Sequence, residues 1–185
     1  MAAKRAAKKK TNAAKKSPAK AKSSETKVVT AASVGITGYW LMKSEPDVYS
    51  IDDMKAEGTG MWEGVRNYQA RNFMRAMKVG DKALFYHSNA TPPGVVGIVE
   101  VAKEAYVDPT QLDPKSKYFD KKKPDEPRWD CVDVRFVEKF GSTVSLAALK
   151  DEPALQEMLV VQKGSRLSIT PVLKKHFDKV LKMAR

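Results

Sequence analysis

Residues 82–105 read K-A-L-F-Y-H-S-N-A-T-P-P-G-V-V-G-I-V-E-V-A-K-E-A, and their pattern decides the fold class. Lys82 to Ser88 alternates well enough for a strand, and beyond the Pro92-Pro93-Gly94 break a longer run extends from Val95 to Ala105. Short apolar runs bounded by Gly, Pro and Asn are strand signals, and the two are expected to pair antiparallel. Moving outward, Gly80-Asp81 turns the chain into this unit from a helix. That helix has Asn67 as its cap and Ala70, Phe73, Met74 and Met77 at i, i+3, i+4 and i+7.

Upstream, Tyr39-Trp40-Leu41-Met42-Lys43 makes a short strand that ends in the turn Ser44-Glu45-Pro46-Asp47. Ser50 then caps a helix, with Asp53 in the capping-box position. Gly58 and Gly60 end it, leaving Trp62 in a glycine-rich turn. Downstream, Val132, Val134 and Phe136 alternate with Asp133, Arg135 and Glu138 as a half-exposed strand. Two helical pieces follow, at 145–150 and 153–158. A last helix is expected with Thr170 at its cap, Pro171 in its first turn, and Val172, Leu173, Phe177, Val180 and Leu181 on one stripe. These elements predict an α+β domain over 37–185, a small, curved, mostly antiparallel sheet with flanking helices. Between Asp108 and Trp129 there is no periodicity, but four prolines and the aromatics Tyr118, Phe119 and Trp129. Loops of this length in compact domains are usually functional.

The chain has 185 residues, with 34 Lys and Arg against 22 Asp and Glu, a net charge of +12. Residues 1–36 hold ten of the bases and a single acid, Glu25, so most of the excess lies there. With no aromatic residue before Tyr39 and no apolar period, this segment cannot bury enough surface to offset the entropy of ordering. It reads as a disordered Lys/Ala-rich arm. Like-charge blocks of this kind hold nucleic-acid phosphates through counterion release, or serve as nuclear import signals. No apolar stretch approaches the ~20 residues of a membrane helix, and no apolar core follows the basic start as an export signal requires. No membrane contact is expected. One cysteine, Cys131, and two histidines, His87 and His176, exclude a disulfide framework and a Cys- or His-rich metal site. No metal and no cofactor is expected.

Enzyme signatures are missing as well. The sequence has no G-x-S-x-G elbow, no G-x-x-x-x-G-K-[ST] phosphate loop, no G-x-G-x-x-G after a strand, and no H-x-E with P-C-x-x-C of the zinc deaminases. Glu45, Glu63 and His87 would make an acid–base set only if folding brought them together. No catalytic residue is assigned.

What does stand out is polar and aromatic residues at element ends, where a rigid scaffold can aim them into one cleft. They fall into four groups: Trp40, Lys43, Ser44 and Glu45; Trp62 to Tyr68, including Val65, Arg66 and Asn67; Tyr86, His87, Ser88 and Asn89; and Ser165, Arg166, Leu167 and Ser168. The motifs W-L-M-K-S-E-P (40–46), W-x-G-V-R-N-Y-Q-A-R-N (62–72), F-Y-H-S-N (85–89), P-P-G-V-V-G (92–97), P-R-W-x-x-V-D-V (127–134) and G-S-R-L-S (164–168) occur in this order. Together they resemble the EVE domain family, over about Tyr39 to Lys182. The resemblance implies a PUA-like, mainly antiparallel pseudobarrel related to the YTH readers of methylated adenosine, and a part in binding modified cytosine in DNA.

The residues converge with that implication. A reader must take one base out of its stack, at a cost of a few kcal/mol, and hold it against aromatic faces. Stacking on one aromatic returns about 1–3 kcal/mol. Trp62 is the expected platform, with Tyr68 or Trp40 as second wall. Cytosine offers an amino donor and two acceptors. Glu45 or a backbone carbonyl would take the amino group, and Ser44, Asn67 or His87 would donate or test a 5-hydroxymethyl substituent. Arg66, Arg71, Arg75, Lys163, Ser165 and Arg166 would hold phosphates. Bland roles stand beside these: Trp40 as a core strand residue, Asn67 as only a cap, His87 as a core histidine, the arginines as a solvated helix face, and Trp129 as the anchor of the long loop. The expected function is a non-enzymatic reader, a monomer whose partner is nucleic acid, DNA before RNA. Its place is nuclear in a eukaryote and nucleoid-associated in a bacterial cytoplasm. The rivals are a binder of modified or structured RNA and an enzyme acting on a flipped base through Glu45 or Glu63.

Overall fold

Strand β1 (Tyr39–Ser44) runs parallel to β3 (Lys82–His87), with Tyr39 opposite Lys82 and Ser44 opposite His87, so both deliver their C-terminal ends to one edge of the sheet. The computed structural model in which this is seen describes residues 38–121 and 126–185. The basic arm and the Lys122-Lys123 pair lie outside the described residues. Every other strand pairing is antiparallel, in the order β2 (Thr59–Trp62), β5 (Asp130–Ser145), β4 (Gly94–Val107), β3, β1, β6 (Ile169–Pro171). Helices α1 (Ile51–Glu57), α2 (Tyr68–Ala76), α3 (Leu146–Asp151) and α4 (Lys174–Ala184) flank the sheet. This is the expected α+β, PUA-like architecture.

The period-2 geometry of strands splits the central apolar runs between two cores. Trp40, Met42, Ala83 and Phe85 face one side and pack with Ile51 and Met54 of α1 and with Ala70, Phe73 and Met74 of α2. Leu41, Leu84 and Tyr86 face the other and meet Leu149 of α3 and Phe177 and Val180 of α4. Both faces are covered, which is why these strands read as near-continuous apolar runs. Local signals place α1 and α2 as expected. Ser50 and Asp53 form a reciprocal capping box, and the Asn67 side chain accepts from the amides of Gln69 and Ala70.

Three expectations need correction. The segment before Trp62 is a strand and not a turn: Gly58, at φ +74°, reverses the chain after α1, and Thr59–Trp62 then pairs along β5 from Arg135 to Val132. Four residues are too few for alternation to register. The last helix starts at Lys174 and not at Thr170, because Ile169–Pro171 pairs as β6 with Met42, Leu41 and Trp40 of β1. An open sheet edge took residues that local cap chemistry assigned to a helix.

The third correction concerns the stretch from Asp108 to Trp129, which is ordered around buried polar groups where described. Gln111, 1% exposed, donates from Nε2 to the carbonyls of Asp108 and Trp129, and its Oε1 accepts from the amides of Arg128 and Trp129. The Asp120 carboxylate takes two bonds from Arg128, at 2.6 and 2.8 Å, and one from the Trp129 indole at 2.8 Å. Trp129 does anchor this loop. Buried groups satisfied in this way leave no apolar period to read.

His176 of α4 is an exception, 2% exposed and with no hydrogen-bond partner for Nε2 among the described residues, the Glu157 carboxylate standing 3.8 Å away. Burial, helped by Lys175 and opposed by Glu157, holds its pKa below the ordinary histidine range. The neutral ring is therefore favoured in the folded state. Its contribution is fully present above the unfolded value near 6.5 and is lost as the pH falls from there toward the folded pKa. Urea unfolding from pH 7 to pH 5 is expected to show falling stability, by at most about 1.4 kcal/mol per pH unit from this group. His87, whose pKa burial also lowers, adds a change of the same sign. His176→Leu should flatten the profile, and an unchanged slope would show that His176 does not titrate with unfolding.

Candidate nucleic-acid interface

The shared end of β1 and β3 opens into a cleft of about 860 Å3, within the roughly 300–1,000 Å3 of small-molecule sites. Backbone bonds build its floor and rim. The Ser88 amide and hydroxyl donate to the Ser44 carbonyl, at 2.8 and 3.2 Å, and the Lys43 amide donates to the Ser168 carbonyl at 2.8 Å. The Ser44 hydroxyl donates to the Tyr49 carbonyl at 2.7 Å, fixing the turn between β1 and α1 beside the opening. Strand β2 contributes Met61 and Trp62, and the long loop closes the far side with Lys117 and Tyr118.

Aromatic rings form the walls. Trp62 lines the cleft while only 7% exposed, edge-to-face with Tyr49 (6.5 Å, 78°) and with Phe85 (5.4 Å, 84°). The Tyr49 hydroxyl donates to Glu57 Oε2 at 2.7 Å; burial first, and then this carboxylate, push its pKa up, so it stays a phenol. Tyr118 has its place because residue 64 is glycine. Gly64 sits at φ +76°, and a Cβ there would come within 2.5 Å of the Tyr118 ring. The Arg66 guanidinium, 5.3 Å from the same ring, donates to the Tyr118 carbonyl from Nε and Nη2 at 3.0 and 2.7 Å.

Charge in the cleft is balanced, Lys43, Lys117 and Arg166 against Glu45, Glu57 and Glu63. Burial lowers the Lys43 pKa; the ammonium donates to the Ser165 carbonyl at 3.4 Å and lies over the Tyr86 ring at 5.8 Å. No ion pair to Lys43 is found among the described residues, which leaves it protons to offer a ligand. Burial and the nearby Asp108 carboxylate raise the Glu63 pKa, against the pull of Arg66 and Lys117. A phosphate would meet as many carboxylates as cations here. A flat, neutral ligand with donors and acceptors on its edge meets complementary partners instead.

Of the residues expected in the pocket, Lys43, Ser44, Glu45, Trp62 and Ser88 line this cleft, and so does Arg166. The others lie elsewhere. Trp40 is 1% exposed in the core and donates its indole N–H to Asp81 at 2.8 Å, and Val65 packs into the same core. Asn67 is exposed outside the cleft, its Oδ1 taken up as a helix cap. The His87 ring accepts the Ile51 amide at Nε2, 3.1 Å away, so it caps α1 and does not complete an acid–base set with Glu45 and Glu63. Asn89 is exposed at φ 54° and outside the cleft. Tyr68 stacks on Trp129 at the outer surface, with 4.8 Å between ring centroids.

The proposed phosphate ligands also separate. Arg66 is committed to Asp108 at 2.7 Å and to the long loop, and Arg75 is paired with Asp130. Arg71 donates to Asn72 and to the Arg128 carbonyl. Lys163 is exposed, and the Ser165 carbonyl receives Lys43. Ser168, of the fourth group, lines the cleft as well, whereas sequence reasoning missed Tyr49, Glu57, Lys117 and Tyr118 as lining residues. Only Tyr118 gave a signal, an aromatic in an aperiodic, charged loop. No group of three or more His, Cys, Asp or Glu with metal-site geometry is found among the described residues, and no helix among them is long and apolar enough to cross a membrane.

Comparison with known proteins adds the following. Residues 38–183 match the EVE domain. Thymocyte nuclear protein 1 of Gallus gallus is 44% identical over 165 residues, which span 78% of this chain and 68% of that protein. A solved protein from Pseudomonas syringae superposes with a TM-score of 0.77 at 47% identity, covering 80% of this chain and 99% of its own. Human thymocyte nuclear protein 1, solved in complex with 5-methylcytosine-containing DNA, superposes with a TM-score of 0.75 at 42% identity, covering 80% of this chain and 97% of its own.

Proposed function

This chain belongs to the EVE domain family, and from that membership and the chemistry of its cleft we propose that it is a non-catalytic reader of modified cytosine in DNA, 5-methyl or 5-hydroxymethyl, with one base turned out of the duplex into the cleft. The observation that carries this reading is an aromatic-walled, charge-balanced cleft of about 860 Å3 in a chain similar to a protein solved with 5-methylcytosine DNA. Tyr118 and Trp62 bound the base. Lys43 donates to the ring nitrogen or carbonyl of cytosine, and Glu45 or Glu63 accepts from its amino group. Stacking worth about 1–3 kcal/mol offsets much of the extrusion cost of a few kcal/mol. The basic arm adds affinity that ignores modification and weakens with salt. In a eukaryotic cell its place of action is the nucleus.

The test is a binding panel of the full chain against duplexes identical except for cytosine, 5-methylcytosine or 5-hydroxymethylcytosine at one position. One methyl or methylene in a fitted pocket is worth about 1–3 kcal/mol, so a preference of tenfold or more for a modified duplex is expected. Equal affinities across the panel would overturn the reading, and stronger binding to tRNA than to any duplex would favour an RNA ligand.

A further inference from the structure

A second aromatic feature lies outside the cleft. Tyr68, the first residue of α2, is 52% exposed. One face of its ring is backed by Trp129 at 4.8 Å and 30°. The Arg71 guanidinium is 4.9 Å from the Tyr68 centroid and 6.0 Å from that of Trp129. On the face of Tyr68 opposite the indole, its distance to Trp129 would approach the sum of the two spacings at Tyr68. Arg71 therefore lies over the Tyr68 ring from the side and not directly opposite the indole, and Tyr68 keeps 52% of its surface exposed. Arg128 reaches the Tyr68 hydroxyl from Nη1 at 3.4 Å.

Two further observations give this ledge a direction and a charge. Arg66 lies 5.3 Å from the Tyr118 ring in the cleft wall and 5.8 Å from Trp129, so one row of alternating rings and cations connects cleft and ledge. While Arg66, Arg75 and Arg128 are paired with Asp108, Asp130 and Asp120, Arg71 hydrogen-bonds to no carboxylate among the described residues. An exposed aromatic ring beside a guanidinium that hydrogen-bonds to no described carboxylate, with Asp130 acting on it only through space, suits a base and its phosphate.

We propose that Tyr68 and Arg71 form a second nucleotide-binding ledge, which stacks an unpaired base of the DNA strand flanking the one in the cleft and holds its phosphate. The inference rests on the proposed function only in taking DNA as the ligand. The ledge reads no modification, since every base has a stacking face, so it gives the protein an affinity for unpaired strand.

The test uses the full chain with Tyr68→Leu, which keeps apolar cover over Trp129 but removes the ring, and Tyr68→Phe, which keeps the ring but removes the hydroxyl. For an unmodified oligothymidylate, Tyr68→Leu is expected to weaken binding about tenfold, within the range for one stacked base, and Tyr68→Phe to stay near wild type. The ratio of modified to plain cytosine affinity should be unchanged in both. Oligothymidylate binding by Tyr68→Leu at the wild-type level, an equal loss in Tyr68→Phe, or a ratio that falls with Tyr68→Leu would each overturn the ledge. Failure of the cleft reading would appear elsewhere, as a wild-type ratio of one in the duplex panel.

Discussion

Asp108→Ala is expected to lower the free energy of unfolding by about 3–5 kcal/mol, the usual cost of leaving one partner of a buried ion pair behind. The Asp108 side chain is fully buried and takes four donors: the Gly64 amide at 3.0 Å, Arg66 Nη1 at 2.7 Å, and the amide and hydroxyl of Thr110 at 2.8 and 2.5 Å. Its removal strands Arg66, whose side chain is 23% exposed, so water recovers part of the loss and the lower end of the range is the better expectation. Burial alone would raise the Asp108 pKa, but the bonds from Arg66, Thr110 and Gly64 outweigh it and hold the carboxyl below the ordinary range. The stabilisation is thus present above the unfolded value near 3.9 and is lost as the pH falls through the folded one. Urea titrations of wild type and Asp108→Ala should differ most near neutrality and converge in acid. A difference under about 1 kcal/mol at pH 7 would mean that the clasp is not a buried-pair interaction. The variant should also lose discrimination among cytosines, because the same clasp holds Gly64 beneath Tyr118.

Trp62→Ala is expected to cost a similar amount, about 3–5 kcal/mol as for other large-to-small core changes. Trp62 is packed against Tyr49 and Phe85 and joins the core beneath α1 and α2. Melting temperature should fall together with binding, and both modified and plain DNA would then be lost through unfolding. A Trp62→Ala protein of wild-type stability would show that the indole belongs to the site and not to the core. The same packing limits how much of the indole face is offered to a base. An aromatic beside glycines looks like an exposed loop residue, whereas pairing with β5 pulls it inward and leaves little of its surface to the cleft.

Local chemistry made much of the fold legible. Ser50 with Asp53 and Asn67 with its i, i+3, i+4 stripe fixed two helices, and the apolar runs around Pro92-Pro93-Gly94 fixed the central antiparallel pair. What stayed hidden depended on partners distant in the chain. No local pattern marks Ile169–Pro171 as the neighbour of β1, or Gln111 as the polar centre of a loop that ends at Trp129. The cleft was half legible for the same reason. Lys43, Ser44, Glu45 and Ser88 sit at strand ends, where the parallel β1–β3 pairing gathers them. Asn67 and His87 carry the right functional groups, but capping takes the Asn67 Oδ1 and the His87 Nε2, and neither residue lines the cleft. Tyr49 and Glu57 enter the cleft only through the turn before α1 and the helix itself.

The most direct measurement is the ratio of affinities for two duplexes that differ by one 5-methyl or 5-hydroxymethyl group, taken for wild type and for Tyr118→Ala. This change removes a cleft wall but leaves the backbone carbonyl that receives Arg66. The ratio should start at tenfold or more, the roughly 1–3 kcal/mol of a filled pocket, and collapse toward one in the variant while stability stays close to wild type. A ratio equally large in the folded Tyr118→Ala protein would contradict a cytosine bound in this cleft.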